Sequence, residues 1–226
     1  MSNPLQRLKE SLLAAPIIWK GDYPYFIHPL TDGVPRLEPT VLTAVVELIE
    51  NAVNWDSIDL VLGIEAMGLP LTSPLSMRNN RPQVVVRKRS YGLEGELAID
   101  QSTGYSKGEM FLNDIKQGER LLIVDDVLST GGTLDAIIRG VESLGAIIEA
   151  IIVVVEKGPG LAQLQEKYPH IEISSIVRLE MVDGKVVLLD EVVCWIWTDT
   201  ISNWKNSSSV YRKTTTGLLL FKSLKD

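Results

Sequence analysis

From Ser57 to about Ile176 the chain alternates short apolar runs with stretches of helical spacing, and nothing else in it restricts the fold as strongly. The runs are "IDLVLGI", "QVVVRK", "RLLIVDD", "IIEAIIVVVEK" and "IEISSIV". They are nearly continuous in apolar residues, so both faces of such strands must be buried. "TLDAIIRGVESLGA", closed by Gly145 as a C-cap, and "GLAQLQEKY" read as helices between the later runs. A chain written this way predicts an α/β fold, a mainly parallel sheet flanked by helices with right-handed crossovers. After "QVVVRK" a long polar loop is expected through "GYSKGE". "RLEMVDGKVVLLD" predicts a C-terminal hairpin turning at Asp183-Gly184.

The flanks differ from this core, and three regions are expected. Residues 1–57 are helical at both ends: "LQRLKESLLAA" places leucines at 5, 8, 12 and 13, and "PTVLTAVVELIENAV" starts with Pro39, where a helix tolerates proline. Between them "KGDYPYFIHPLTDGVPRLEP" is too rich in Pro, Gly and Asp for a long helix or strand. Residues 58–191 form the α/β core, and 192–226 an appended tail with Trp195, Trp197 and Trp204 and no clear periodicity.

The formal net charge of −7 argues against nucleic acid as a main partner. The single cysteine, Cys194, can close no internal disulfide, which fits a cytoplasmic protein. "MSNPLQRLKE" is neither a secretory signal nor an anchor, and no apolar run is long enough to span a bilayer. His28, His170 and Cys194 are too few and too scattered to suggest a zinc site.

The chemistry concentrates in "LLIVDDVLSTGGTLDAII", Leu121–Ile138. Ligands of a parallel sheet bind at the carboxyl ends of strands, and here an apolar run ends on Asp125 and Asp126. Ser129, Thr130, Gly131, Gly132 and Thr133 then make a turn into a helix, where unpaired N–H groups and the dipole favour an anion. Two carboxylates cannot serve the same phosphate; they suit diol hydroxyls or a divalent metal. A ligand with a ribose diol and a 5′-phosphate satisfies both halves. The plainer alternative makes the aspartates capping residues and "STGGT" a tight turn, which paired acids directly after a strand argue against.

"IVDDVLSTGGT" resembles the phosphoribosyl-pyrophosphate (PRPP) signature of type I phosphoribosyltransferases. "LGIEAMGLPL" looks like the pyrophosphate loop of the adenine-type enzymes, with Met67 where arginine is common. "VVVRKRSYGLEGE" resembles the strand that opens the family's mobile loop. With "GDYPYFIHPLTDGVP" and "TGYSKGE", the order is similar to the archaeal-type hypoxanthine/guanine phosphoribosyltransferases, relatives of adenine phosphoribosyltransferase, over roughly residues 5–191.

The resemblance implies a type I phosphoribosyltransferase fold with a small N-terminal hood, and transfer of phosphoribosyl from PRPP to a purine with Mg²⁺. It implies Ser129–Thr133 on the 5′-phosphate, and Asp125 and Asp126 on the ribose hydroxyls or on Mg²⁺ through water. Glu65, the backbone of Ala66, Met67 and Gly68, and the side chains of Arg87 and Lys88 would hold pyrophosphate. The Tyr91–Glu109 loop would close as a lid, with Lys88 and Glu109 as further catalytic candidates. Phe26 would stack on the base, Ile27 backbone groups would read its edge, and Glu156 and Lys157 lie at the same end of the sheet. Ser129 occupies the variable position where an Asp often stands. The family implies a homodimer.

Three rivals stand beside this. Adenine could be the acceptor, or the fold could serve as a non-catalytic sensor of PRPP or purine. "GYSKG" matches the hydrolase elbow G-x-S-x-G with Ser106 as nucleophile, but "AIDQST" before it is too polar for the buried strand an elbow needs.

Overall fold

The structure is a computed structural model that describes residues 3–102 and 107–189. The N-terminal region comprises α1 (Pro4–Leu13), β1 (Ile17–Lys20), β2 (Tyr23–Phe26), the single turn α2 (Pro29–Asp32) and α3 (Pro39–Asn51). The core follows as β3 (Leu60–Ile64), α4 (Leu69–Asn79), β4 (Gln83–Val86), β5 (Leu97–Ser102), β6 (Lys107–Leu112) and β7 (Arg120–Leu128). It closes with α5 (Gly132–Ser143), β8 (Ile147–Glu156), α6 (Gly160–Lys167), β9 (Glu172–Val182) and β10 (Lys185–Leu189).

Six strands make the main sheet in the order β10-β9-β8-β7-β3-β4, all parallel except β10 on β9. Every residue of β3 is buried, as its unbroken apolar sequence demands. One sheet face packs under α5, α6 and the β5–β6 ribbon, through Ile137, Leu164, Met110 and Leu112 among others. The other face packs under α1, α3 and α4, through Leu8, Leu12, Val45, Ile49 and Leu71. After β3 the chain moves outward to β4, then returns to lay β7 on the other side of β3. The loops that leave β3 and β7 therefore diverge to opposite faces, and a crevice opens between the carboxyl ends of these two strands.

The structure departs from expectation at four places. The hood segment is more regular than its Pro and Gly content suggests: β1 and β2 pair antiparallel in four-residue strands, and His28 caps α2 by accepting from Leu30 N–H at 3.2 Å. β7 does not end on the aspartates but runs two residues further, with Val127 and Leu128 still in register with β8. α4 carries Pro70 and Pro74, which mask its helical spacing. The expected polar loop is an antiparallel ribbon, β5 on β6, whose inner residues Ile99, Met110 and Leu112 are buried.

This last difference also corrects the expected lid. The ribbon packs on α5 so closely that a methyl added at Gly140 would lie 2.8 Å from Ile99 and from Leu112. Arg87 and Phe111 exchange backbone hydrogen bonds of 3.0 and 2.8 Å, fixing β6 to the end of β4. The whole of Tyr91–Glu109 thus cannot swing as one loop without stripping β5 and β6 from the core. The C-terminal hairpin forms as expected, Asp183 and Gly184 taking the paired positive φ of 50° and 70°.

Ser106, Cys194 and the tail 192–226 lie outside the described residues. Among the described residues no helix is long and apolar enough to cross a membrane.

Candidate active site

Asp125 and Asp126 are 7% and 8% exposed, at the crevice end of β7. Burial pushes both carboxyls above the usual carboxylate range, and for Asp126 the neighbouring Asp125 charge pushes further. Lys88 pulls Asp125 the other way. The unliganded pair therefore holds a proton that hydroxyl donors or a cation would displace.

Ser129–Thr133 turn away from β7 and, with Asp125, Val127, Leu128 and Leu134, line a cleft of about 160 Å³. Gly131 is the N-cap of α5 at φ 81°, a conformation open to glycine, and it carries no capping side chain, so the first turn of the helix borders the cleft through Gly131, Gly132 and Thr133. The loop is braced from behind by the start of α6: Gly160 N–H donates to Ser129 O at 2.9 Å, and Lys157 N–H to Leu128 O at 2.8 Å. The two backbones approach so closely that a Cβ on Gly160 would lie 2.4 Å from Ser129 O. Asp135 ties the helices together, accepting from Tyr168 Oη at 2.7 Å and Arg139 Nε at 3.2 Å and pairing with Lys167.

Across the crevice, the loop after β3 carries a cis Glu65–Ala66 peptide. A Cβ on Gly68 would meet Ile64 N at 2.7 Å and Val124 O at 3.0 Å, so only glycine lets this loop lie on β7. The Gly68 amide donates to Ile64 O at 3.0 Å, which leaves Ala66 and Met67 as the candidate backbone donors of the three expected. Met67 sulfur packs 3.2 Å from the Cβ position of Gly33, joining this loop to the hood. Glu65 accepts from Lys88 N–H at 3.1 Å and lies 3.3 Å from Arg87 Nε. Arg87 and Arg89 both donate to the Tyr91 hydroxyl, at 2.8 and 2.9 Å. Glu96 gathers the next turn, accepting from Tyr91 N–H at 2.9 Å, Gly92 N–H at 3.2 Å, Asn113 at 3.1 Å and the Ser90 hydroxyl. These donors hold its carboxyl low, at about 2.

On the hood side the Lys157 ammonium lies 5.7 Å from the Tyr25 ring and 5.5 Å from Phe26. Phe26 is buried in the core, and the Ile27 amide is committed to Pro16 O at 2.9 Å, so edge-reading by Ile27 falls to its carbonyl. Glu156 does not join this wall: its buried carboxylate accepts from Ser175 Oγ at 2.9 Å and lies 3.5 Å from Arg178 Nε. Glu109 also stands apart, exposed on β6 opposite Asp100. His28 Nδ1 accepts from Leu30 N–H, so Nε2 carries the proton toward Ser11 Oγ at 2.8 Å; burial lowers its pKa to about 4.

The structure also brings in two residues that motif reading missed. Asp32 ends α2 close enough to Asp126 to raise its pKa, and Glu96 organises the turn after Arg89. A carboxylate four residues after a capping histidine, and an acid following "SYG", were the available signals.

An acidic pair and an anion-type loop at the switch point of an open parallel sheet define an α/β protein built for a phosphorylated sugar. The chain belongs to the phosphoribosyl transferase family: residues 37–182 match the phosphoribosyl transferase domain. It is 49% identical over 186 residues to a hypoxanthine/guanine phosphoribosyltransferase of Aciduliprofundum boonei, covering 82% of this chain and 100% of the relative. It is 46% identical to the protein of the same name from Methanocaldococcus infernus, over 80% of this chain and 99% of that one. Among solved structures it resembles adenine phosphoribosyltransferase from Rhodothermus marinus, with a TM-score of 0.61 at 25% identity, covering 78% of this chain and 98% of that one.

Proposed function

We propose that this chain transfers the phosphoribosyl group of PRPP to hypoxanthine or guanine, giving IMP or GMP and pyrophosphate. The observation that carries the reading is the meeting, at one crevice, of the Asp125–Asp126 pair, the Ser129–Thr133 cradle and the Glu65–Gly68 loop. The acceptor is taken from the two archaeal relatives, whose names specify it.

In this reading the amides and hydroxyls of Ser129–Thr133 hold the 5′-phosphate, with the α5 dipole behind them. Ala66 and Met67 amides, Arg87 and Lys88 hold the pyrophosphate and stabilise the charge it gains as its bond to C1′ breaks. Asp125 and Asp126 accept from the ribose hydroxyls and offset the positive charge that builds on the sugar. A purine ring nitrogen bonds to C1′ in place of the departing oxygen and then loses its proton. Phe26 backs the base wall from the core and is too buried to stack on the purine as expected, so the Ile27 carbonyl and Lys157 face the base, and Lys157 presents a donor suited to an oxo group. The turn 88–96 is the part of the expected lid left to cover the site, with Glu109 following only if the ribbon shifts.

Among the described residues no cluster of three or more acids, histidines or cysteines could hold a metal alone. Two hard carboxylates do fit Mg²⁺ that arrives on the pyrophosphate and keeps most of its water. When bound it would neutralise the leaving group. A cytoplasmic homodimer completes the proposal and is tested by light scattering on the purified protein.

A second reading, adenine as acceptor, draws on the names of the solved structures. Purine-dependent pyrophosphate release from PRPP, with hypoxanthine, guanine, xanthine and adenine in competition, separates the two. Preference for adenine overturns the acceptor, and PRPP binding without turnover of any purine overturns the enzyme in favour of a sensor.

A further inference from the structure

We propose that Gln83, on β4, is a positioning residue for the pyrophosphate grip, acting through the buried Thr72 hydroxyl on the turn that carries Ala66 and Met67. The inference rests on the transferase reading above and extends it to two neutral residues outside the motifs.

In that reading the leaving group is held from two directions. Ala66 and Met67 lie in the turn between β3 and α4, whereas Arg87 and Lys88 continue β4. The distance between these halves depends on how α4 is seated against β4, the last strand of the main sheet. The sheet face under α4 is apolar, with Val61, Leu71 and Leu75 in its core, and Gln83 stands beside Val61 in the β3–β4 register. A polar group on such a face is costly unless it is bonded. Thr72, in the first turns of α4, has no exposed surface. Gln83 Nε2 donates to its Oγ1 at 2.8 Å, and Oγ1 donates to Gly68 O at 3.0 Å, with Leu69 O further off at 3.4 Å.

A threonine in a helix often returns its hydroxyl to the carbonyl four residues back, which by itself is a local matter. The Gln83 bond makes it a link between elements. A hydroxyl has one hydrogen, and with Gln83 donating to the oxygen that hydrogen is directed to the carbonyls at the start of α4. β3 confines the oxygen as well, because a Cβ at Gly63 would lie 2.4 Å from it. Gly68 is then held at both its groups: its carbonyl by Thr72 Oγ1 and by Thr72 N–H at 2.9 Å, its amide by Ile64 O. At the other end of the turn, Glu65 N–H donates to Val86 O at 3.1 Å, again on β4. Ala66 and Met67 therefore lie between two anchors that both refer to the strand delivering Arg87 and Lys88. Cutting the Gln83 anchor lets α4 and the turn shift against that pair, while the Glu65 anchor remains, so the loss should be partial. The Ser129–Thr133 cradle is braced by α6, and no charge is removed with Gln83 or Thr72, so the cost should fall on the pyrophosphate end of PRPP.

The test is calorimetry on the full chain with PRPP, with pyrophosphate and with ribose 5-phosphate, each with Mg²⁺, alongside the purine KM at saturating PRPP. Wild type is compared with Gln83→Leu, Thr72→Val, Thr72→Ser and the Gln83→Leu/Thr72→Val pair. Gln83→Leu should weaken PRPP and pyrophosphate about fivefold, and Thr72→Val, which keeps the shape and loses the hydroxyl, about tenfold. Ribose 5-phosphate, which lacks the leaving group, and the purine KM should stay within about twofold, and Thr72→Ser should stay within about twofold of wild type for every ligand. The double variant should be no worse than Thr72→Val alone. Equal losses for ribose 5-phosphate overturn the proposal, as do unchanged PRPP and pyrophosphate affinities in Gln83→Leu, additive losses in the pair, or serine as damaging as valine. If Thr72→Val does not fold, Gln83→Leu and Thr72→Ser decide it. Wild type that binds PRPP but turns over no purine overturns the transferase reading, whereas the binding comparison still decides the role of Gln83.

Discussion

Replacing Gly160 by alanine adds a single methyl group behind the phosphate cradle, where nothing can yield except backbone. The new carbon would lie 2.4 Å from Ser129 O, 2.8 Å from Gly131 N and 2.8 Å from the Thr130 carbonyl carbon, whereas ordinary contact begins at 3.4 Å. About 1 Å of movement is needed to relieve the first contact. If α6 retreats, the 2.9 Å bond from Gly160 N–H to Ser129 O is lost, and the Asp135 links to Tyr168 and Lys167 are strained with it. If the cradle gives way instead, its amides move into the space the phosphate would occupy. Overpacking of this kind costs about 1–3 kcal/mol, and a lost hydrogen bond about 1 kcal/mol more. Part of that should appear as instability and part as weakened anion binding. The expected outcome is a roughly tenfold to hundredfold weaker affinity for PRPP and for ribose 5-phosphate by calorimetry, with purine KM little changed at saturating PRPP. Unchanged ribose 5-phosphate affinity in a variant whose melting temperature also stays put would refute the bracing role of α6.

The Asp125→Asn/Asp126→Asn variant should lose at least a hundredfold in kcat while PRPP affinity changes by no more than about tenfold, because in the proposed reaction the pair acts mainly on charge that develops during transfer; retained turnover would be incompatible with these roles. The same variant tests a pH effect. Carboxyls raised by burial stabilise the unliganded fold fully below their ordinary 3.8, and this is lost as pH rises through neutrality. The stability of the variant relative to wild type should therefore climb between pH 4 and 8 in urea titrations, and a flat difference would exclude carboxyls raised by burial. His28 works in the opposite sense: lowered to about 4, it stabilises above its ordinary 6.5, and the contribution fades as pH falls toward 4. His28→Gln should flatten the acid limb of the wild-type curve. Glu96→Ala should raise amide exchange at Tyr91 and Gly92 about tenfold, with no change at Met110 or Leu112.

The alternating apolar runs were sufficient to predict the parallel sheet, and "DDVLSTGGT" the place where an anion and hydroxyl groups would meet, because burial and helix-terminus chemistry are local properties of residue order. The β5–β6 ribbon was partly legible. Leu97 and Ile99, then Met110 and Leu112, repeat with period two, yet the charged and glycine-rich residues among them hid it. The helix through Pro70 and Pro74 was not legible, since its stability comes from packing Leu71 and Leu75 against the sheet.

What sequence alone determined is therefore the proposed sugar-phosphate half of the candidate site, carried in one contiguous strand, turn and helix. What only the tertiary structure brought together is the proposed acceptor half. There Lys157, just after β8, converges with Tyr25 and Phe26 from the hood across more than a hundred residues of chain. The physical reason is that an anion needs only local backbone dipoles, whereas a base wall needs side chains from distant elements held at fixed distances. Those distances are set by the two packed cores and not by spacing along the chain.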